Sequence, residues 1–277
     1  MVTSHLKFCW VIIMGSLWEF ASFATRSVST LHQQSVVLVL VSQLFVLLAP
    51  LLINAFAYML LARLINFYCP THSILSIPAP VLSILFVSLD FVSFVIQLVG
   101  GSYAGPTAPE DQQMKGVHIY MGGIGLQQFF IFVFLGLAVK FQLEMKEIER
   151  LGGGKKGWKR MIWTLYGSLG FITVRIFFRL IEFSAGNTSS NPLPFHEGYF
   201  YALEAVPMIF AILCFNVNHP GRILVGPRSE LPGLRETFWK GRGRKGRKMT
   251  VGEDGEELVG KYEMLGREGF DGERVVV

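Results

Sequence analysis

Long apolar blocks separated by short polar connections run through most of the chain, and this spacing is its strongest structural signal. A helix needs about 20 predominantly apolar residues to cross the hydrocarbon core of a bilayer. Blocks of that length predict an all-α fold, a multi-pass transmembrane helical bundle. The predicted spanning helices lie at about 6–25, 35–64, 79–101, 117–139, 161–184 and 197–217.

Individual residues refine this prediction within the blocks. Pro50, in the middle of the overlong second block, predicts a kink. Within residues 6–25, Lys7 precedes an apolar stretch as in a signal peptide, but Glu19 interrupts that stretch, so we expect a helix that is retained. Close approach between helices is predicted at Gly100, Gly101, Gly122, Gly123 and Gly125.

The charge distribution predicts the orientation of the bundle. Only 16% of the 277 residues are charged, against about 25% in soluble domains. Six basic side chains lie within residues 142–160 and nine more within residues 222–248, so both regions are predicted to be cytosolic. The connections at 102–116 and 185–196 then face outward, and the second contains a glycosylation sequon at Asn187.

The end of the chain differs in composition from the membrane domain at residues 1–221. Residues 222–277 are rich in charge and glycine and offer little apolar surface to bury, which predicts a largely disordered cytosolic tail. Its basic stretch, residues 235–248, is a candidate contact for anionic inner-leaflet lipids. The alternative is that these basic residues only anchor the orientation of the bundle.

Several chemistries find no support in the sequence. The three cysteines are far apart and form no CxxC pair, and the six histidines are scattered without acids at metal-ligand spacing. The glycine-rich segments at 151–157 and 241–246 lack the Ser or Thr of a phosphate loop and the strand–helix context of a dinucleotide loop, respectively. We therefore predict no enzyme activity, no catalytic residues, no metal, no cofactor and no nucleic-acid partner.

A stripe of charges inside the apolar block 161–184 is the feature that most needs explanation. Arg175, Arg179 and Glu182 recur at i, i+4 and i+7, so one face of a helix presents all three. One charge near the centre of a spanning helix costs roughly 2.5–3.5 kcal/mol to insert. The stripe is therefore expected to face protein or water, with opposite charges nearby.

Other polar residues fall at compatible depths if each helical residue rises about 1.5 Å. The midplane and outer half of the bundle are predicted to contain Glu19, Arg26, Asp90, Gln97, Gln127 and Glu204. Four acids against three arginines predict mutual pairing in a medium of low dielectric. The functional interpretation is a polar cavity open toward the outer leaflet. The alternative is an ion-pair network that only holds the helices together.

These residues also fall into an ordered set of short motifs. The motifs span Glu19–Arg26, Ala49–Arg63, Asp90–Gly101, Gly123–Gln127, Arg175–Gly186 and Glu197–Gly221. In this order they resemble the fungal RTA-like family of lipid-translocating exporters, across residues 19–221. Ser22 and Phe23 stand where the family has Gly and Tyr, and Glu204 stands where Asp is usual.

The resemblance implies seven helices with an outside N-terminus. The chain is then expected to begin at the second of them, as a truncated gene model or a shortened member. The resemblance also implies translocation of lipids or other amphiphiles, such as sphingoid bases, and resistance to toxic amphiphiles, at the plasma membrane or alternatively an endomembrane. The alternative function is a receptor or stress sensor that signals through its tail.

Two roles are assigned to the polar residues on this basis. The expected substrate-binding residues are Asp90, Gln97, Gln127, Glu204 and Glu19. The expected structural ion-pair network consists of Arg175, Arg179, Glu182 and Arg26.

Overall fold

The computed structural model of the chain describes residues 9–31, 36–69, 72–75, 77–104, 109–151, 157–184, 198 and 201–222. The predicted tail beyond residue 222, its basic stretch and the sequon at Asn187 lie outside the described residues. The α-helices are α1 (Trp10–Leu31), α2 (Val36–Tyr68), α3 (Ala79–Tyr103), α4 (Glu110–Arg150), α5 (Trp158–Ser184) and α6 (Val206–Val217). The helical fold class is confirmed.

Short elements connect or extend these helices. A π-helical turn, Tyr201–Ala205, runs directly into α6, and a 3-10 turn, Pro220–Arg222, follows it. Between α2 and α3 the strands β1 (Ser73–Ile74) and β2 (Ile77–Pro78) form an antiparallel pair. In this pair Ser73 lies opposite Pro78 and Ile74 lies opposite Ile77.

Four helical segments are long and apolar enough to cross a membrane, which confirms a multi-pass membrane protein. They are Val41–Tyr68, Ala79–Tyr103, Asp111–Arg150 and Trp158–Ser184. Helix α1 does not reach this standard because Glu19, Arg26 and several serines dilute its apolar residues. The segment Tyr201–Val217 is apolar but short, and rises roughly 25 Å. That these two also span the bilayer remains a prediction.

Helix α4 differs most from its predicted bounds. It was predicted at 117–139, but it runs for 41 residues from Glu110 to Arg150. At about 1.5 Å per residue it is roughly 60 Å long, about twice the thickness of the hydrocarbon core. Its last turns are rich in Glu and Lys, which favour helix even where they are too polar for the bilayer. The apolar pattern therefore marks the membrane-embedded part and misses the extensions.

The core of the bundle is centred on α2. Most residues along its second half are buried, and the side that carries Met59, Arg63 and Phe67 is partly exposed. This agrees with its sequence, which is apolar all round, as expected for an interior helix. The ring of Tyr58 packs against Phe86 of α3 at 5.5 Å and Phe134 of α4 at 4.5 Å between centroids. Pro50 lies within α2, which continues through it.

Glycines bring α3 and α4 into close contact. A Cβ atom at Gly123 would lie 2.7 Å from Gln97 Cγ and 3.0 Å from the Ser93 carbonyl oxygen. At Gly100 a Cβ atom would lie 2.7 Å from the Cα atom of Tyr120. The predicted close approach is thus confirmed at these two glycines. It is wrong for Gly101, Gly122 and Gly125, where a Cβ atom would meet nothing within 4 Å.

Gly116 is a third contact glycine that the sequence analysis did not identify. A Cβ atom there would lie 2.7 Å from the carbonyl carbon of Tyr103. It precedes Gly123 by seven residues, which places both on the same face of α4. A glycine of α4 permits close packing only if it lies on the face that points toward α3. The number of glycines nearby in the sequence does not decide this.

Candidate functional site

Two arginines of α5 share one carboxylate oxygen. The Nη2 atoms of Arg175 and Arg179 both lie 2.8 Å from Oε1 of Glu204. Arg175 Nη2 also donates a hydrogen bond of 2.8 Å to the Val46 carbonyl oxygen of α2. Glu204 is completely buried, and each arginine is 5% exposed. The expectation that the charged stripe has an opposite charge nearby is confirmed for Glu204.

The local backbone explains how Glu204 reaches the arginines. Glu204 lies in the π-helical turn Tyr201–Ala205, which ends shortly before Pro207. Proline has no backbone N–H, so it cannot complete the α-helical hydrogen bond to the carbonyl four residues earlier. A π turn absorbs such a break, and π turns are frequent at functional sites. Pro207 is therefore the sequence signal for the irregular backbone that presents Glu204.

Glu182 extends the ion-pair network along α5. Its Oε2 atom lies 3.8 Å from Nη1 of Arg179, a longer contact than the one to Glu204. The Arg179 guanidinium also lies 5.8 Å from the ring centroid of Phe183. Arg26 of α1 acts electrostatically on Glu182, and its place in the network stays a prediction.

Tyr120 is a polar residue of this region that sequence analysis missed. Its ring packs edge-on against Phe183 with 4.8 Å between centroids. Its hydroxyl group is buried and makes no hydrogen bond within the described residues. The sequence signal for this residue was a tyrosine within an apolar spanning segment. A buried hydroxyl group usually has a hydrogen-bond partner, so such a tyrosine is a candidate for a polar site.

Glu19 of α1 lies beside this network without being bonded to it. It is 5% exposed, and neither of its carboxylate oxygens accepts a hydrogen bond from the part of the chain that is described. Arg175, Arg179 and Glu204 all act on it electrostatically. One turn after Glu19, Ser22 and Ser42 of α2 each donate a hydrogen bond to the other's carbonyl oxygen, at 3.3 and 3.2 Å. These bonds fix α1 against α2 at this level.

Asp90 of α3 does not join the arginines, which corrects the expected pairing. Its Oδ2 atom accepts hydrogen bonds from Asn54 Nδ2 at 3.0 Å and from the Tyr58 hydroxyl at 2.8 Å. Both partners belong to α2, and Asp90 is 1% exposed. Its Oδ1 atom has no hydrogen-bond partner among the described residues. Depth along a helix predicted the level of Asp90 but not the direction in which its side chain points.

Gln97 and Gln127 form a separate polar contact between α3 and α4. Gln97 Nε2 donates a hydrogen bond of 3.0 Å to Gln127 Oε1. Gly123, one turn before Gln127, leaves room for Gln97. The predicted substrate-binding residues thus divide into three places: beside the arginines, at Asn54 and Tyr58, and at this pair. Among the described residues no group of three or more His, Cys, Asp or Glu side chains is arranged to hold a metal ion.

The apolar helices and the buried arginine–glutamate network define the chain as an integral, multi-pass membrane protein. The RTA1-like protein family matches residues 12–226. The chain belongs to this family, as the motif resemblance predicted.

Relatives within the family carry names that refer to lipids and other amphiphiles. The chain is 42% identical to "Probable lipid transporter atnI" of Emericella nidulans over 82% of its own length and 61% of the relative. It is 25% identical to "Sphingoid long-chain base transporter RSB1" of Saccharomyces cerevisiae, over 79% and 66% respectively. It is 27% identical to "Protoporphyrin uptake protein 1" of the same species, over 74% and 66%. The chain thus spans less than two thirds of the length of these relatives. No solved structure matches it.

Proposed function

We propose that this protein moves an amphiphilic lipid with a cationic head group, such as a sphingoid base, between the two leaflets of a membrane. The observation that carries the proposal is the buried, unbonded carboxylate of Glu19 beside an ion-pair network. Membership of the RTA1-like family and the names of the lipid-transporting relatives support the same class of substrate.

The chemistry of the unbonded atoms favours a cation over an anion. Arg175 and Arg179 direct guanidinium donors at Glu204, so an anionic head group would compete with an existing ion pair. Within the described residues, the buried carboxylate oxygens without hydrogen-bond partners are both of Glu19, Oδ1 of Asp90 and Oε2 of Glu182 and Glu204. They outnumber the unbonded guanidinium nitrogens, of which Nε of Arg175 is one. An ammonium group donates hydrogen bonds and carries positive charge, so it complements such acceptors.

The roles of the polar residues follow from their bonds. Glu19 and Asp90 are proposed to contact the head group through their unbonded oxygens. Glu204 contributes Oε2 to the substrate while Oε1 stays bonded to both arginines. Gln97 and Gln127 add polar lining where α3 meets α4. The frame of the site is Arg175, Arg179, Glu182 and Arg26.

Transbilayer movement in liposomes tests the proposal. Vesicles containing the purified chain are expected to move a fluorescent sphingoid base between leaflets faster than empty vesicles do. Asp90→Asn is expected to slow this movement by about 10- to 150-fold, because one charge-assisted contact with the head group is worth about 1.5–3 kcal/mol. Gly122→Ala is the matched control, since its added Cβ atom meets nothing within 4 Å. Movement equal to that of empty vesicles would reject the proposed function.

A receptor or stress sensor that signals through its tail is the competing class. We propose that the protein acts in the plasma membrane, that residues 222–277 lie in the cytosol and that residues 235–248 contact anionic lipids there. Removal of residues 225–277 separates the two classes. A transporter retains lipid movement and resistance to toxic amphiphiles in cells, whereas a tail-dependent receptor loses the resistance response.

A further inference from the structure

Glu19 differs from the other buried acids of the bundle in the bonds that it makes. Oε1 of Glu204 is paired with the guanidinium groups of Arg175 and Arg179. Oδ2 of Asp90 accepts hydrogen bonds from Asn54 and Tyr58. Neither oxygen of Glu19 accepts a hydrogen bond within the described residues, although the side chain is 5% exposed. An ionised carboxylate that is buried without such bonds is strongly disfavoured. Burial without hydrogen bonds therefore favours the neutral carboxyl form of Glu19.

The charged groups around Glu19 do not supply it with a bonded counter-charge. Helix α5 contributes Arg175 and Arg179, and the π turn contributes Glu204. Both arginines are bonded to Glu204, and no ion pair within 4 Å joins either of them to Glu19 in the described part of the chain. Arg26, two turns further along α1, acts on Glu182.

Helix α2, which packs along α1, adds no charged side chain to this environment. At the level of Glu19 it presents Ser42, whose hydroxyl is bonded to α1, and the Val46 carbonyl oxygen. That carbonyl oxygen is already bonded to Arg175. The nearby charges therefore act on Glu19 only through space, and its two carboxylate oxygens are left for a proton or for a cation that is not part of the protein.

We infer that Glu19 exchanges one proton for the cationic head group of the amphiphile. The inference rests on the proposed function and adds an energy source to it. On binding, the O–H bond of the carboxyl group breaks, the proton leaves to water, and the carboxylate accepts hydrogen bonds from the ammonium group. One positive charge leaves as one enters, so the charge of the site is conserved. A pH gradient across the membrane can then drive transport in the opposite direction to proton flow.

Proton release on binding tests this exchange directly. The full chain in lipid nanodiscs is titrated with a sphingoid base by calorimetry, in two buffers of different ionisation enthalpy. Measurements between about pH 5 and 7.5 keep a primary amine charged, so any released proton comes from the protein. Wild type is expected to release about one proton per amine bound. Affinity is expected to rise as much as about tenfold per pH unit where the carboxyl group is protonated.

Two variants at the same position assign the proton. Glu19→Gln is expected to bind the base more weakly, without proton release and without pH dependence. Glu19→Asp keeps a carboxyl group and is expected to retain proton release. The melting temperature of Glu19→Gln is expected to match or exceed that of wild type, since no hydrogen bond is lost. Loss of proton release with an unchanged melting temperature in Glu19→Gln indicates proton exchange, whereas a lower melting temperature would indicate a structural role for Glu19.

The outcomes distinguish this inference from the function on which it rests. Binding of the base by wild type without proton release overturns the exchange and leaves the proposed function standing. Proton release that persists in Glu19→Gln assigns the proton to another group and overturns the role of Glu19. Absence of both binding and transbilayer movement in wild type overturns the exchange together with the proposed function.

Discussion

At the scale of single residues, the ion-pair network depends on one carboxylate. Oε1 of Glu204 lies 2.8 Å from a guanidinium nitrogen of each arginine. Arg175 and Arg179 are one helical turn apart, so their positive charges repel each other. Glu204 offsets this repulsion, and a variant without its carboxylate does not. Glu182 is a weaker partner at 3.8 Å, and its side chain is 14% exposed. The two acids are therefore expected to contribute very differently to stability.

Glu204→Gln is expected to lower the free energy of unfolding by roughly 3–5 kcal/mol, because it leaves buried positive charge uncompensated. Glu182→Gln is the matched control and is expected to cost clearly less, because its contact with Arg179 is longer and Glu204 still pairs with both arginines. Chemical unfolding of the purified variants in detergent measures both. Equal losses in the two variants would contradict the arrangement of the network.

A double variant checks that the cost arises from the arginines. Arg175→Met combined with Glu204→Gln is expected to be more stable than the sum of the single losses predicts, because part of the uncompensated charge is removed. Strict additivity would mean that Arg175 and Glu204 do not interact in the folded protein.

At the scale of the helices, the contact between α3 and α4 depends on selected glycines. Lipid chains are as apolar as leucine, so membrane helices associate largely through close packing and interhelical hydrogen bonds. Gly123 permits both, since it lies against the α3 backbone and leaves room for the bond between Gln97 and Gln127. Its neighbour Gly122 has open space where a side chain would point.

Gly123→Ala is expected to destabilise the bundle by about 1–3 kcal/mol, because the new methyl group forces α3 and α4 apart. Gly122→Ala is expected to be neutral or to stabilise by up to about 1 kcal/mol, since alanine favours helix. Thermal unfolding of the two variants in the same detergent compares them. Similar melting temperatures for both would show that α3 and α4 do not approach at Gly123.

At the scale of the whole molecule, orientation is carried by charges between and after the helices. Basic residues within 142–160 and 222–248 predict a cytosolic location for both regions. The long helix α4 carries the chain from the predicted outer side at Glu110 to the cytosolic side at Arg150. The connection that contains Asn187 is then predicted to face the lumen during synthesis.

Expression in a eukaryotic host is expected to yield a protein that glycosidase treatment shifts to lower mass, because a sequon is modified only on the lumenal side. Asn187→Gln is expected to abolish the shift. A sequon introduced within residues 152–156 is the control and is expected to remain unmodified. Modification of that control instead would reverse the predicted orientation.

Much of the architecture and the types of residue in the site could be predicted from local sequence. Apolar length predicts helices that can span a bilayer, and the constant rise per residue predicts the depth of each polar side chain. The stripe of Arg175, Arg179 and Glu182 follows from helical periodicity alone. The family was predicted from short motifs and their order along the chain, which need no knowledge of the tertiary structure.

Tertiary structure decided which residues meet, because rotation about a helix axis and the order of helices in the bundle depend on packing. Asp90 shares a depth range with the arginines, yet α2 supplies its partners Asn54 and Tyr58. Gly116 contacts α3 and Gly122 does not, because only one of them faces that helix. Glu19 emerged as the unbonded acid for the same reason. The depth of a side chain follows from its position along one helix. A contact between helices also depends on how the two helices are rotated and packed.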